Sequence, residues 1–248
     1  MIRGIYTAAS GMVAESLRTD AIANNMANVD TSGYKRDITI TKDFGSILIK
    51  EVGDGSNSSD IGSMGYGSVV DEIATIHDAG QIRPTGNPLD LAISGKGYFA
   101  VQTPNGLRYT RNGSFYRSGQ GELVTSEGYK VLGTNGPVNV TGNKITIGSD
   151  GSVKVDNVQT SQLQLVEFAN DRTALSKEGN SLYVSTGSQQ PTRATGSVEQ
   201  GSIERSNVNV IKEMVNLIAG YRAYEINGKS VQAHDSLLDK AVNEVGKV

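Results

Sequence analysis

Residues 206–245 read SNVNVIKEMVNLIAGYRAYEINGKSVQAHDSLLDKAVNEV, and their periodicity decides the fold. Val210, Leu217, Tyr224, Val231, Leu238 and Val245 recur at seven-residue steps. A second row lies four residues on, at Met214, Tyr221, Gly228, Asp235 and Val242, and is interrupted midway. Two such rows form the seam of a helix that packs along its length on another helix. Ser206 or Asn207 supplies the N-cap, since a short polar side chain can accept the free amides of a first turn. A helix over 208–245 would be roughly 57 Å long at 1.5 Å per residue.

The other end of the chain offers a partner. Ile5, Met12, Leu17, Ile22, Met26 and Val29 sit at mixed spacings that fit one thin apolar face. Such a helix, about 25 residues long, spans only about 37 Å. The two ends are therefore expected to pair as a coiled coil. The surplus seam calls for a second copy, so the chain should be a homo-oligomer.

Between the ends the pattern changes. The chain has 248 residues and 30 glycines, an excess that implies many tight turns between short strands. All five prolines fall between Pro84 and Pro191. Tyr98–Thr103 and Leu107–Thr110 flank Pro104-Asn105-Gly106, and Asp150-Gly151 separates Ile147 from Val153, two hairpin signals. Further short strands are expected at 122–125, 129–132, 163–168, 181–185 and 197–204. Ten of the nineteen residues from Lys50 to Ser68 are Gly or Ser, which reads as a flexible loop. The fold class is thus α+β and mainly β, with long terminal helices around an all-β centre. Residues 1–30 with 207–248 form the helical domain, 31–70 an extended or flexible connector, and 71–206 the β domain.

Composition closes off several functions. A net charge of −3 gives no field for nucleic acid, and no apolar run reaches membrane-spanning length. With no cysteine and two distant histidines, His77 and His234, no metal site is expected. Gly95-Lys96-Gly97-Tyr98-Phe99-Ala100 matches a loose dinucleotide-binding pattern but runs into a strand rather than a helix. No G-x-S-x-G occurs. No catalytic or cofactor-binding residue is expected. The opening residues mimic a signal peptide only weakly, so any export should use a non-cleaved route.

Two segments remain. Asn24, Asn25 and Asn28 crowd a helix end, and Gly33 suits a left-handed turn. That is more amide than a cap needs, which suggests contacts to other chains. Ala23-Asn24-Asn25-Met26-Ala27-Asn28 with Thr31-Ser32-Gly33-Tyr34-Lys35 resembles the N-terminal signature of bacterial flagellar axial proteins, the rod and hook family. Met26 stands where that family more often has leucine. Asn207-Val208-Asn209-Val210 with Glu213-Met214-Val215 and Arg222-Ala223-Tyr224-Glu225 is similar to the family's other end. Asn87–Ile93 through Gly97-Tyr98-Phe99 to Tyr109–Phe115 resembles its central domain.

The resemblance implies a structural subunit of the flagellar basal-body rod, a helical tube that transmits torque. It implies export through the flagellar type III apparatus, and neighbouring rod and hook proteins as partners. The terminal helices would form the inner tube. Assembly would use Ala23, Asn24, Asn25, Met26, Asn28, Thr31, Gly33 and Tyr34. At the other end it would use Asn207, Val208, Asn209, Val210, Met214, Leu217, Tyr221, Arg222, Tyr224, Val231 and Leu238. Length argues against a longer hook protein and fits either rod position, and the short Gly/Ser insert favours the proximal one, with a distal-rod or hook-type subunit as the alternative. Outside the family, an oligomeric β-domain binding protein or enzyme, or a phage-like tube protein, would also fit helical arms on a β centre.

Overall fold

The computed structural model describes residues 2–50, 60–187 and 189–245. Among them are three α-helices: α1 (Ile2–Ala27), the single turn α2 (Asp171–Ala174) and α3 (Val210–Lys240). The fold is α+β with a mainly β centre. The chain divides into a helical unit, Met1–Met26 with Asp37–Ala74 and Asn209–Val248, and a β unit, Ala27–Arg36 with Thr75–Val208.

In the helical unit, α3 starts later than expected. Its cap is Asn209, whose side chain accepts from Lys212 N at 3.0 Å, rather than Ser206 or Asn207. After Lys240 it widens into a π-turn, Ala241–Val245. At 31 residues α3 is about 46 Å long, against about 39 Å for the 26 residues of α1. The length mismatch is therefore much smaller than the sequence suggests.

The helices approach each other at glycines. A Cβ at Gly4 would strike the His234 ring, and one at Gly11 would lie 2.9 Å from Asn227 Nδ2. One at Gly220 would lie 3.2 Å from Thr19 Oγ1, and one at Gly228 3.9 Å from Met12 Cε. Positions rise along α1 as they fall along α3, so the two run antiparallel. Apart from Gly228, this corrects the second row of the seam. Met214, Tyr221 and Val242 are exposed, whereas Glu213 and Gly220, three residues after Val210 and Leu217, are buried. Of the first row, Leu217, Val231 and Leu238 are half-buried, Val210 and Tyr224 are exposed, and the Val245 side chain lies outside the described residues. Positions i+3 and i+4 both neighbour i on a helix, so apolarity alone does not choose between them. The fit of side chains onto glycines does. On α1 the buried residues are likewise small, Ala8, Ala14 and Ala21, with Ile22.

The stretch expected as an extended or flexible connector is strand-rich. Asp37–Asp43 pairs with Ser68–Thr75, and Ser46–Lys50 pairs antiparallel with Asp60–Gly65, Ile47 opposite Met64. Only the middle of the Gly/Ser insert, 51–59, lies outside the described residues. The base of this hairpin is tied to α1: Thr7 Oγ1 donates to Tyr66 O at 2.7 Å and Ser68 N to Ser10 Oγ at 3.2 Å.

The β unit is built around Tyr98–Thr103. Successive side chains on a strand point to opposite faces. Phe99 and Val101 accordingly enter one cluster with Leu91, Phe115 and Val131, and Tyr98 and Ala100 enter another with Tyr109, Phe168 and Tyr183. Gly106–Thr110 pairs on one side through the expected turn, Thr103 opposite Gly106, and Lys130–Gly133 pairs on the other. The turn at Gly151 (φ +82°) joins Ile145–Ile147 to Ser152–Val155, also as expected. The expected strand 197–204 is two. At Gly201 (φ +74°) the chain turns, so that Ser197–Gln200 pairs with Leu91–Ser94 and Ser202–Glu204 with Ile82–Pro84.

Gly113 lies against the Leu91 carbonyl so closely that any Cβ would collide with backbone, whereas Gly119 faces open space without a positive φ. Gly113→Ala should cost about 1–3 kcal/mol by overpacking, or roughly 2–4 °C of thermal midpoint per kcal/mol. Gly119→Ala should cost less. Equal midpoints by calorimetry would contradict this packing.

Candidate functional site

The expected N-terminal motif divides into a helix end and a strap. Asn25, buried at the end of α1, closes on one backbone residue. Its Oδ1 accepts from Asp37 N at 2.8 Å and its Nδ2 donates to Asp37 O at 2.7 Å. The amide thus imitates a β-ladder pair within the chain, which corrects its expected use toward another chain. Ala23 and Asn24 are exposed, and Met26 is half-buried. Asn28 turns the chain out of the helix: its Oδ1 and its carbonyl accept from Thr31 Oγ1 and Thr31 N, each at 3.2 Å.

Residues 28–36 then run as a strap within the β unit. Gly33, at φ +67°, packs so tightly on the Arg111–Asn112 backbone that a Cβ would clash. Its N–H donates to Glu204 O at 2.8 Å. Tyr34 is buried, with Lys177 Nζ 3.8 Å from its ring centre while also donating to Lys35 O at 2.9 Å. A cation held over a ring face gains from the ring quadrupole.

Lys35 is the centre of the strap. Its ammonium donates to Glu204 Oε1 at 2.5 Å and to Asp78 O at 2.7 Å. Glu204 Oε1 also accepts from Gly80 N at 2.7 Å, and Oε2 accepts from Arg111 Nη1 at 3.2 Å. Arg111 further donates to Ile93 O and Gly95 O and lies over the Tyr98 ring. The side chains of Lys35, Glu204 and Arg111 are 0, 1 and 4 % exposed. Burial pulls the Lys35 pKa below its ordinary value, and Glu204 draws it back up. Charges this deep persist only when paired and hydrogen-bonded.

The C-terminal motif meets the strap at Asn207. Its Oδ1 accepts from Arg36 N at 2.8 Å, and its Nδ2 donates to Ile76 O at 2.8 Å and Asp78 O at 3.1 Å. Its own N–H reaches Tyr34 O at 3.4 Å. This side chain staples three segments, which is why it does not cap α3. Val208 is buried and Asn209 caps the helix. Met214, Tyr221, Arg222 and Tyr224 then face outward, while Leu217, Val231 and Leu238 are half-buried. Sequence reasoning quoted Lys35 only as part of a motif and passed over Arg111 and Glu204 as charges. The one available signal was a lysine directly after a Gly-Tyr turn.

Among the described residues no group of three His, Asp or Glu could hold a metal ion, and no helix is long and apolar enough to cross a membrane.

Asn207→Ala would strand the Arg36 amide and leave the Ile76 carbonyl short of a donor. Each buried group left without a partner costs about 1–3 kcal/mol. The substitution should therefore cost at least about 2 kcal/mol by that measure. Denaturant unfolding that shows no loss would contradict the staple.

Three family models match. Residues 5–35 match a flagella basal body rod protein model. Residues 92–155 match the flagellar hook protein FlgE/F/G D1 domain, and residues 199–244 the flagellar basal body rod FlgEFG protein C-terminal model. The chain is 36 % identical to the flagellar basal-body rod protein FlgG of Bacillus subtilis (strain 168), over 98 % of this chain and 99 % of the relative. It is also 36 % identical to FlgG of Borreliella burgdorferi, over 98 % of both chains. The flagellar hook-basal body complex protein FlhO of Bacillus subtilis is 31 % identical over the full length of both. The strap, the staple and the root of α3 lie within the terminal regions so matched. The chain belongs to the flagellar basal-body rod protein family and is a structural subunit of the flagellar basal body.

Proposed function

We propose that this subunit builds the rod by associating with copies of itself and with neighbouring rod and hook proteins through an apolar stripe along α3. The stripe is the observation that carries the reading. Met214, Val215, Ile218 and Tyr221 lie three, four, seven and ten residues after Ile211, so the five share one helix face. Ile211, Ile218 and Tyr221 are 76, 54 and 60 % exposed. Tyr6, Val13 and Leu17 form a shorter exposed row on α1. Apolar patches of this kind mark interaction surfaces. A groove of about 630 Å³ beside Ile218, Tyr221, Tyr224 and Gly228 gives the stripe relief. Two different faces of one chain that meet without closing a ring generate a filament, the geometry a rod requires.

In this reading α1 and α3 pair as a coiled coil along Leu217, Val231 and Leu238 and line the inner tube. Ala23, Asn24, Met214, Tyr221, Arg222 and Tyr224 touch neighbouring subunits. The β unit forms the outer wall and carries torque rather than catalysis. Export through the flagellar type III apparatus without a cleaved signal accompanies this role. The relatives include FlgG proteins and FlhO, so the proximal position rests on the short Gly/Ser insert alone. Labelling this subunit in basal bodies tests that position.

Ile218→Asp separates the two helix faces. It should leave the thermal midpoint of the subunit within about 2 °C, because surface substitutions usually change stability by no more than about 0.5 kcal/mol, yet it should abolish rods and swimming. Leu217→Asp should instead lower the midpoint, since it places a charge at the half-buried seam. Motile cells carrying Ile218→Asp would overturn the stripe as the assembly surface.

A further inference from the structure

The strap and the far end of the β unit meet at one carboxylate, and the charges there are unequal. Lys35 and Arg111 are two buried cations facing one buried anion, Glu204. The exposed carboxylate of Asp78 adds a smaller pull on Lys35. Without Lys35, Glu204 and Arg111 remain a neutral pair, Arg111 keeps two carbonyls, and Ser202–Glu204 keeps its ladder with Ile82–Pro84. Without Glu204, a docked Lys35 would lie buried beside Arg111 with only the weaker pull of the exposed Asp78 carboxylate. With Ser202–Glu204 unseated, the strap would also lose the Gly33 bond, which ends on the Glu204 backbone carbonyl. The Arg36 bond ends on Asn207, three residues further along the same segment. Seating the strap thus requires the C-terminal segment far more than that segment requires the strap.

We propose that residues 28–36 are a strap that closes only after Ser202–Glu204 has seated, so that the Lys35–Glu204–Arg111 triad locks the strap onto the β unit once the chain is complete through residue 207. The two partners lie 169 residues apart, and a chain is made from its N-terminus. The strap therefore exists long before its counter-charge and closes last. A chain cut short or mis-seated at 202–207 keeps a folded β core with an open strap. The device is intramolecular and does not depend on the α3 stripe as the assembly surface.

Pulse-labelled hydrogen exchange during refolding of the unmodified full chain tests the order. The amides of Gly33 and Arg36 should gain protection after those of Ser202–Glu204 and of Tyr98–Thr103. Simultaneous or earlier protection of Gly33 and Arg36 would overturn the proposal. At equilibrium, full-length Glu204→Gln should speed exchange at Gly33 and Arg36 at least tenfold while Tyr98–Thr103 stays protected. Adding Lys35→Met, which removes the second cation, should restore much of that protection. Unchanged strap exchange in Glu204→Gln, loss of strap and core protection together, or no recovery in the double variant would each count against it. Should Glu204→Gln fail to fold, the refolding order of the unmodified chain still decides.

Discussion

A carboxylate taken out of water survives as an anion only if donors surround it, and Glu204 is surrounded from three directions. An ammonium from the N-terminal strap, a guanidinium from the central sheet and a backbone N–H from the loop at Gly80 converge on its two oxygens. Removing one partner of such a buried pair typically costs about 3–5 kcal/mol, because the charge left behind has no solvent to turn to. That penalty makes the meeting of the chain's two ends specific. Gly33 and Gly80 show the same constraint sterically, since a Cβ at either would collide with backbone. Asn207 completes the junction, satisfying Arg36, Ile76 and Asp78 with one amide. The strap and the segment at 204–207 are thereby held together within the β unit.

The helical unit solves a different problem. Glycines at Gly4, Gly11, Gly220 and Gly228 let α1 and α3 approach closely, with Leu217, Val231 and Leu238 half-buried beside them. Other large apolar side chains remain outside. Ile211, Met214, Ile218 and Tyr221 on α3, with Tyr6 and Val13 on α1, are exposed in the single chain. In the proposed rod this exposed apolar surface is what neighbouring subunits would cover.

Much of the β centre was legible because its signals are local. The alternation of Tyr98–Thr103 and the turns at Gly106 and Gly151 need only a few adjacent residues to be read, and all three appear as expected. The triad was not legible. Lys35 and Glu204 are 169 residues apart, Arg111 and Glu204 are 93 apart, and no neighbouring residue distinguishes a buried lysine from a solvated one. The second row of the seam was misread at Met214 and Tyr221 for a physical reason, because apolarity favours those i+4 positions while Glu213 and Gly220 at i+3 are the ones buried. The hairpin at Ser46–Lys50 was hidden by composition. Its Ile47-Leu48-Ile49 run is a strand signal, overshadowed by the Gly/Ser stretch that follows. Asn25 was read outward, toward another chain, when a backbone partner lay twelve residues on.

The most direct test of a rod subunit that reserves its apolar helix face for its neighbours is a helical reconstruction of the native rod at side-chain resolution. The account predicts this chain in the rod with Met214, Ile218 and Tyr221 buried against an adjacent subunit and Leu217 and Leu238 facing α1 of the same chain. A rod that contains the chain with that stripe turned to open solvent along its whole length would contradict it.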